Sequence, residues 1–132
     1  MIVIQKGQNT TFQLTLTENC TLTSPYFLFE FKSDVTYDTV NFISADLSLH
    51  TDRYNEFTIT ETSGASNLTS GVIELLPAGT WTYRVFEQSS SSNLSVANAT
   101  TLLEIGKVKV KNSDTTFDTN QIDVTYDVNE PT

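Results

Sequence analysis

His50 and Cys20 are the residues best suited to acid–base or nucleophilic chemistry, and the chain has one residue of each type. His50 stands in the loop-like stretch LSLHTDRYN, and Cys20 stands in ENCTLT. A serine triad in an α/β-hydrolase elbow needs a G-x-S-x-G motif, which is absent, and no local signature supports a Cys–His pair. One histidine and one cysteine do not assemble a zinc site. We therefore predict that His50 is a surface residue and that neither residue is catalytic.

Four aspartates at loop-like positions are the next candidates: Asp34, Asp38, Asp46 and Asp52. Loop carboxylates with carbonyl oxygens are calcium ligands, but no D-x-[DN]-x-[DN]-G loop is present. Glycosidase chemistry needs two carboxylates at a set separation in a cleft, and no pattern indicates such a pair. The sequence also lacks a glycine-rich phosphate loop. We predict solvated loop aspartates, no metal, no cofactor and no enzymatic activity.

Composition limits the classes of partner that the chain is expected to bind. The net charge is −9, with only seven Lys and Arg residues and no basic cluster. Binding to nucleic acid or to an anionic membrane relies on such clusters, so we predict neither partner. The N-terminal residues lack the basic and apolar regions of a signal peptide, and a lone cysteine forms no internal disulfide. We expect a protein assembled in a reducing compartment.

Period-two alternation of apolar and polar residues recurs along the chain, which is the pattern of half-buried strands. It predicts strands at residues 1–4, 11–17, 25–32, 40–45, 54–61, 72–76, 80–88 and 102–110. No segment has sustained helical periodicity; residues 92–101 could hold a helical turn, and the serine run at 89–92 should be mobile. The fold class predicted is all-β, an immunoglobulin-like antiparallel β-sandwich of seven to eight strands at residues 1–110. Closure of a single sheet is the alternative.

Two strands supply the predicted core. The sets that share one face are Phe27, Phe29 and Phe31 in the first, and Trp81, Tyr83 and Val85 in the second. Trp81 is the only tryptophan, and either a ligand-stacking platform or a core position would suit it. A Trp-Tyr-Val face beside an apolar strand favours the core. Tyr83 also resembles the tyrosine corner of immunoglobulin-like sandwiches, whose hydroxyl bonds to the backbone.

Two local features complete this prediction. Residues 72–76 and 80–88 flank the turn Pro77-Ala78-Gly79 and should form a tight antiparallel hairpin. Leu103 and Ile105 differ in parity from Val108 and Val110. A bulge at Gly106 would return both pairs to one face.

Residues 111–132 form an acidic linker followed by renewed alternation. Ile122, Val124, Tyr126 and Val128 alternate with polar residues, and Phe117 stands in the linker. This segment could be a last strand of the same domain, an arm that pairs with the sheet edge of a neighbouring subunit, or a disordered tail. We favour the extended C-terminal arm, with these five apolar residues as the docking positions.

The phrases MIVIQKGQNTTFQLTLTE, SPYFLFEFKSD, RYNEFTITE, GVIELLPAGTWTYRVFEQSSSSNLSVA and LLEIGKVKV support a more specific interpretation. Over residues 1–110 they resemble small virion proteins of tailed phages that infect Bacteroidetes, the crAss-like phages among them. The resemblance implies a β-sandwich module of the virion, a head auxiliary protein that decorates the capsid. Similar domains also occur in tail, neck and baseplate proteins.

On this interpretation the protein is assembled in the bacterial host cytoplasm and is a non-enzymatic structural part of the virion. Its partners would be the major capsid protein or neighbouring copies. A carbohydrate-binding module that adheres to surface glycan is the competing hypothesis. It requires exposed aromatic residues on one face or in a cleft, for which Tyr26, Tyr37 and Tyr54 are the candidates.

Overall fold

A computed structural model describes residues 1–112, and in this part of the chain all regular structure is β except for two 3₁₀ turns, Thr17–Asn19 and Val96–Asn98. Neither turn has the length that crossing a bilayer would require. The strands are β1 (Ile2–Gln5), β2 (Asn9–Leu14), β3 (Tyr26–Ser33), β4 (Thr39–Ile43), β5 (Asn55–Glu61), β6 (Val72–Ile73), β7 (Gly79–Gln88) and β8 (Thr101–Lys111). The predicted docking positions Phe117, Ile122, Val124, Tyr126 and Val128 lie outside the described residues.

The strands form two sheets that pack as a sandwich, which confirms the predicted fold class. The larger sheet has the order β1-β8-β7-β3-β4, and the smaller sheet has the order β2-β5-β6. Most neighbours are antiparallel, but β1 runs parallel to β8 and β6 runs parallel to β5. β1 therefore lies beside β8, the last strand of the described residues, at an edge of the larger sheet.

β3 lies between β7 and β4 and carries apolar residues on both of its faces. Its inner face places Phe27, Phe29 and Phe31 in the main core. On its outer face, Leu28 packs in a second cluster with Ile43 and Phe86. Residues 94–99 of the connection between β7 and β8 cover this second cluster, which accounts for an apolar patch on a face otherwise lined with polar residues.

Aromatic rings join the two sheets in the main core. The ring of Phe29 on β3 lies 5.0 Å from that of Phe57 on β5 in an edge-to-face arrangement. Trp81 is 1% exposed, and its indole N–H donates to the carbonyl of Pro77 at 3.0 Å. Tyr83 and Val85 also lie in this core. Trp81 is thus a core residue with its one polar atom bonded to the backbone.

The hairpin predicted around Pro77-Ala78-Gly79 is wrong. β6 pairs with β5 in the smaller sheet, whereas β7 pairs with β3 and β8 in the larger sheet. The chain therefore crosses from one sheet to the other at this turn. Alternation on both sides of a turn identifies two strands, but it does not establish that they pair.

The predicted bulge at Gly106 is also wrong. The register between β7 and β8 shifts opposite Val85 and Phe86, whose partners are Glu104 and Leu102, so the extra residue is Leu103. Leu103 is buried, and Ile105 is 59% exposed on the outer face. Gly106 lies opposite Tyr83, where a Cβ atom would come within 2.5 Å of the phenol ring. The glycine makes space for this ring.

Candidate functional site

The two residues first considered for catalysis lie in connections between strands. Cys20 is half-buried after the first 3₁₀ turn, with Sγ 3.4 Å from the carbonyl oxygen of Leu16. Burial and the negative charge of Glu87 raise the pKa of the Cys20 thiol, so it stays protonated at neutral pH. His50 is exposed, with its ring 6.4 Å from that of Tyr54. Cys20 lines a cavity of about 340 Å³ with Asp46, and His50 is not part of its lining.

Three of the four loop aspartates have structural partners. Asp34 accepts a hydrogen bond from Thr82 at 2.7 Å and forms an ion pair with Lys107 at 3.0 Å. Asp46 accepts hydrogen bonds from the side chain of Asn55 and from two backbone N–H groups. The carboxylate of Asp38 accepts a hydrogen bond from the hydroxyl of Thr36 within its own turn.

Asp52 is exposed in the connection before β5. Across residues 1–112, no three His, Cys, Asp or Glu side chains converge in a group that could hold a metal ion.

The most deeply buried carboxylates belong to Glu61 and Glu87, which the sequence analysis missed. The sequence contained a signal for their burial, because each glutamate follows the buried residues of its strand at the same two-residue spacing. Glu61 follows Phe57 and Ile59, and Glu87 follows Trp81, Tyr83 and Val85. An acidic residue in a row of core positions indicates a carboxylate that the fold must satisfy with hydrogen bonds.

Glu61 fastens the turn between β1 and β2. Its carboxylate accepts hydrogen bonds from the backbone N–H of Gly7 at 2.8 Å and of Leu75 at 3.0 Å, and it pairs with Lys6 at 3.2 Å. Burial alone would raise the pKa of Glu61, but these hydrogen bonds and the lysine charge outweigh burial and lower it. The carboxylate is therefore held in its charged form.

Glu87 holds the connection between β2 and β3 in place, and it forms no salt bridge within residues 1–112. It accepts the backbone N–H of Thr21 at 2.9 Å and of Leu22 at 3.0 Å, and the hydroxyl of Thr21 at 2.8 Å. Burial would raise the pKa of Glu87, but hydrogen bonds from Thr21 and Leu22 lower it overall. Together, Glu61 and Glu87 hold the chain on both sides of β2.

The side of the sandwich formed by β8 and β2 is one place where the described residues leave strand backbone unpaired, and the outer edges of β1 and β4 are others. β1 pairs with residues 108–111 of β8 only. Further back, the side-chain amide of Asn19 contacts the carbonyl of Leu103 at 3.4 Å. Between these contacts, no strand within residues 1–112 pairs with the outer edge of residues 104–107. We call this edge, together with the groove beneath it, the open side.

The groove of the open side has a volume of about 420 Å³. It lies between the sheets and has both apolar and polar walls: Met1, Gln13, Leu14, Thr15, Tyr54, Tyr83 and Glu104. The volume is within the range of small-ligand pockets. The groove continues directly from the unpaired backbone of β8, so a segment that paired there would place alternate side chains in it.

Tyr83 and Glu104 form the inner wall of this groove. The Tyr83 hydroxyl donates to the carboxylate of Glu104, which differs from the predicted tyrosine-corner bond to the backbone. Burial and the bond to Glu104 raise the pKa of Tyr83, so the phenol stays protonated. The ring is 5% exposed, so Tyr83 is a core residue whose polar end reaches the groove.

No family model and no curated protein matches this chain.

The three tyrosines considered for glycan binding do not form one platform. Tyr26 begins β3, whereas Tyr37 lies in the turn after the same strand, at the other end of the sandwich. Tyr26 is 46% exposed and Tyr37 is 69% exposed. Tyr54 precedes β5 and lines the groove of the open side. The three residues therefore do not share a flat aromatic face.

Positive charge is concentrated on the outer face of the larger sheet. Five of the seven Lys and Arg residues lie there: Lys32, Arg84, Lys107, Lys109 and Lys111. Arg84 is paired with Glu30, and Lys107 is paired with Asp34. Lys109 and Lys111 form no salt bridge within residues 1–112. A chain with a net charge of −9 thus has a locally basic surface beside the open side.

Proposed function

We propose that this protein is a non-enzymatic structural protein of a tailed-phage virion that decorates or reinforces the capsid exterior. It binds the major capsid protein or neighbouring copies through protein–protein contacts and is assembled in the host cytoplasm. Its resemblance to virion proteins motivates the viral setting. The observation that carries the assembly role is the open side, where a sheet edge and a groove lie together on an otherwise well-packed sandwich.

The chemistry of the side chains supports a structural role. The buried carboxylates of Glu61 and Glu87 bind backbone N–H groups of loops, and the Cys20 thiol is protonated. These groups stabilise connections between strands. Edge strands, in contrast, present a row of backbone donors and acceptors that pair with a strand of a partner. A stable contact built on the open side would bury about 800 Å² per partner.

The acidic character of the chain supports an external position on the shell. A protein with a net charge of −9 is repelled by packaged DNA, so the outer surface of the capsid is the favourable location. Placement in the tail, neck or baseplate is the alternative within the same functional class, and copy number distinguishes the two.

The test is quantitative mass spectrometry of purified particles, with the copy number of this chain expressed relative to the major capsid protein. We expect copies in the hundreds, as for a shell component. A few copies, or about a dozen, would contradict capsid decoration and favour the tail or the portal region. Absence of the chain from purified particles would overturn the virion role altogether.

A further inference from the structure

The open side has backbone groups to which a partner strand could bond, and the chain carries a segment suited to provide one. Residues 104–107 of β8 have an outer edge that no strand within residues 1–112 pairs. Backbone N–H and C=O groups on such an edge template the addition of another strand. We propose that residues 122–128 of a second copy of this chain pair with this edge. The proposal deepens the assembly role proposed above and rests on it.

The alternation of the segment matches the two surfaces that meet at this edge. Successive side chains of a strand point to opposite faces. One row of the segment is Ile122, Val124, Tyr126 and Val128, and the groove that would receive this row has Met1, Leu14 and Tyr54 among its polar and apolar walls. About two residues of this row would face the groove, because the unpaired stretch of β8 is four residues long.

Charge complementarity supports the same orientation of the segment, with its apolar row towards the groove. The other row of the segment contains Asp123 and Asp127, and residues 113–132 carry five acidic residues and no basic residue. When the apolar row faces the groove, the acidic row faces the outer side of the sheet. The basic residues of β8 lie on that side, where Lys109 has no salt bridge within residues 1–112.

The length of the linker favours a second copy over the same molecule. Residues 112–121 number ten and span about 33 Å when extended. A return from Lys111 to residue 107 of the same strand covers only about 14 Å, and hairpin loops usually have about 2–5 residues. A domain of this size has a radius of gyration of about 13 Å, so the linker reaches across to a neighbouring copy.

The first experiment compares the full chain with its Val124→Asp variant by sedimentation velocity over a range of concentrations. We expect the unchanged chain to associate as its concentration rises and the variant to remain monomeric. Leu49→Asp is the control, because Leu49 is 90% exposed in a connection away from the groove. Association of the control should match that of the unchanged chain. A full chain that is monomeric throughout, or a variant that still associates, overturns the proposal.

Hydrogen exchange locates the contact and separates pairing in trans from pairing within one molecule. At associating concentrations, the amides of Ile105 and Lys107, which alternate along β8 with residues bonded to β7, should exchange at least tenfold more slowly in the full chain than in Val124→Asp. On dilution to monomer, this difference should disappear. Protection that persists in the monomer places the segment on its own β8 and overturns pairing between copies.

Peptide binding provides an independent test with the Val124→Asp protein, in which residues 122–128 should no longer pair with the edge of β8. A fluorescent peptide of residues 119–130 should bind the full-length Val124→Asp protein, and the same peptide with Val124→Asp should bind at least tenfold more weakly. Equal binding of the two peptides, or binding by neither, contradicts the proposal. Chains found in particles at full copy number despite Val124→Asp would disprove this contact and leave the virion role intact. If the chain associates in solution through this contact but is absent from purified particles, the contact stands and the virion role is disproved.

Discussion

The two lateral sides of the sandwich differ in the contacts that hold them. On the side of β4 and β6, the backbone N–H of Ile43 donates to the carbonyl of Leu68 at 2.6 Å, and Phe42 stacks on Phe29 with ring centroids 5.1 Å apart. On the open side, residues 104–107 of β8 border a groove, and the carboxylates of Glu61 and Glu87 bind the connections before and after β2. We call the side of β4 and β6 the closed side, because apolar packing and one backbone hydrogen bond join it, although the rest of the outer edge of β4 is unpaired within residues 1–112. On the open side, polar contacts surround a space.

On the proposed assembly role, this difference separates the parts of one small domain that stabilise its fold from the part that binds a partner. Full burial of large apolar side chains contributes most of the folding free energy, so the closed side should contribute strongly to the stability of the domain. An edge with unpaired backbone contributes less to folding and remains available to a partner.

The largest effect should come from truncating phenylalanine on the closed side. Phe42→Ala should lower the free energy of unfolding by about 3–5 kcal/mol, because it removes a fully buried ring and leaves a cavity. Phe12→Ala is the matched change on β2 of the open side, where the ring is partly exposed, and it should cost clearly less. Urea unfolding of both variants measures the difference. Equal losses would remove the energetic distinction between the two sides.

Gly106 tests how closely the open side is packed around Tyr83. Gly106→Ala places a methyl group within 2.5 Å of the phenol ring, and we expect a loss of about 1–3 kcal/mol in the free energy of unfolding. Gly64→Ala is the control, since its nearest neighbour would be the Thr62 hydroxyl at 3.4 Å. If Gly106→Ala is as stable as the control, Tyr83 is mobile and the wall of the groove is not preformed.

Acid should loosen the open side before the closed side. The pKa values of Glu61 and Glu87 are lowered in the folded protein, so their stabilisation is fully present above the ordinary glutamate pKa of about 4.3 and is lost as pH falls through the lower folded values. Hydrogen exchange at β2 should therefore accelerate below about pH 4 relative to exchange at β4. In Glu87→Gln this acid response should be weaker. Simultaneous loosening of β2 and β4 would mean that the sandwich opens as one unit.

The smallest effect concerns the hydroxyl that lines the groove. Tyr83→Phe should cost about 0.5–1.5 kcal/mol, because water in the groove replaces the lost donor to Glu104. Thermal unfolding monitored by circular dichroism measures this loss. A cost above that of Gly106→Ala would show that the Tyr83–Glu104 bond is a main support of the open side.

Several features of the candidate site were predictable, and others were not. Glu61 and Glu87 share the inward parity of their strands, so their burial was readable from the alternation. Their partners were not, because Gly7, Thr21 and Leu22 lie in connections whose paths depend on the whole fold. The groove was not predictable either, because it forms where Tyr54, Tyr83 and Leu14 come together from three distant parts of the chain.

The sequence by itself determined the strands, the inward rows of Phe27, Phe29 and Phe31 and of Trp81, Tyr83 and Val85, and the lack of recognisable catalytic motifs. Period-two alternation is local, so it specifies which face of a strand is buried. Only the tertiary structure decided that β6 and β7 belong to different sheets, that the bulge lies at Leu103, and that β1 pairs in parallel with residues 108–111 of β8. Each of these depends on which strand becomes a neighbour, and long-range packing makes that choice.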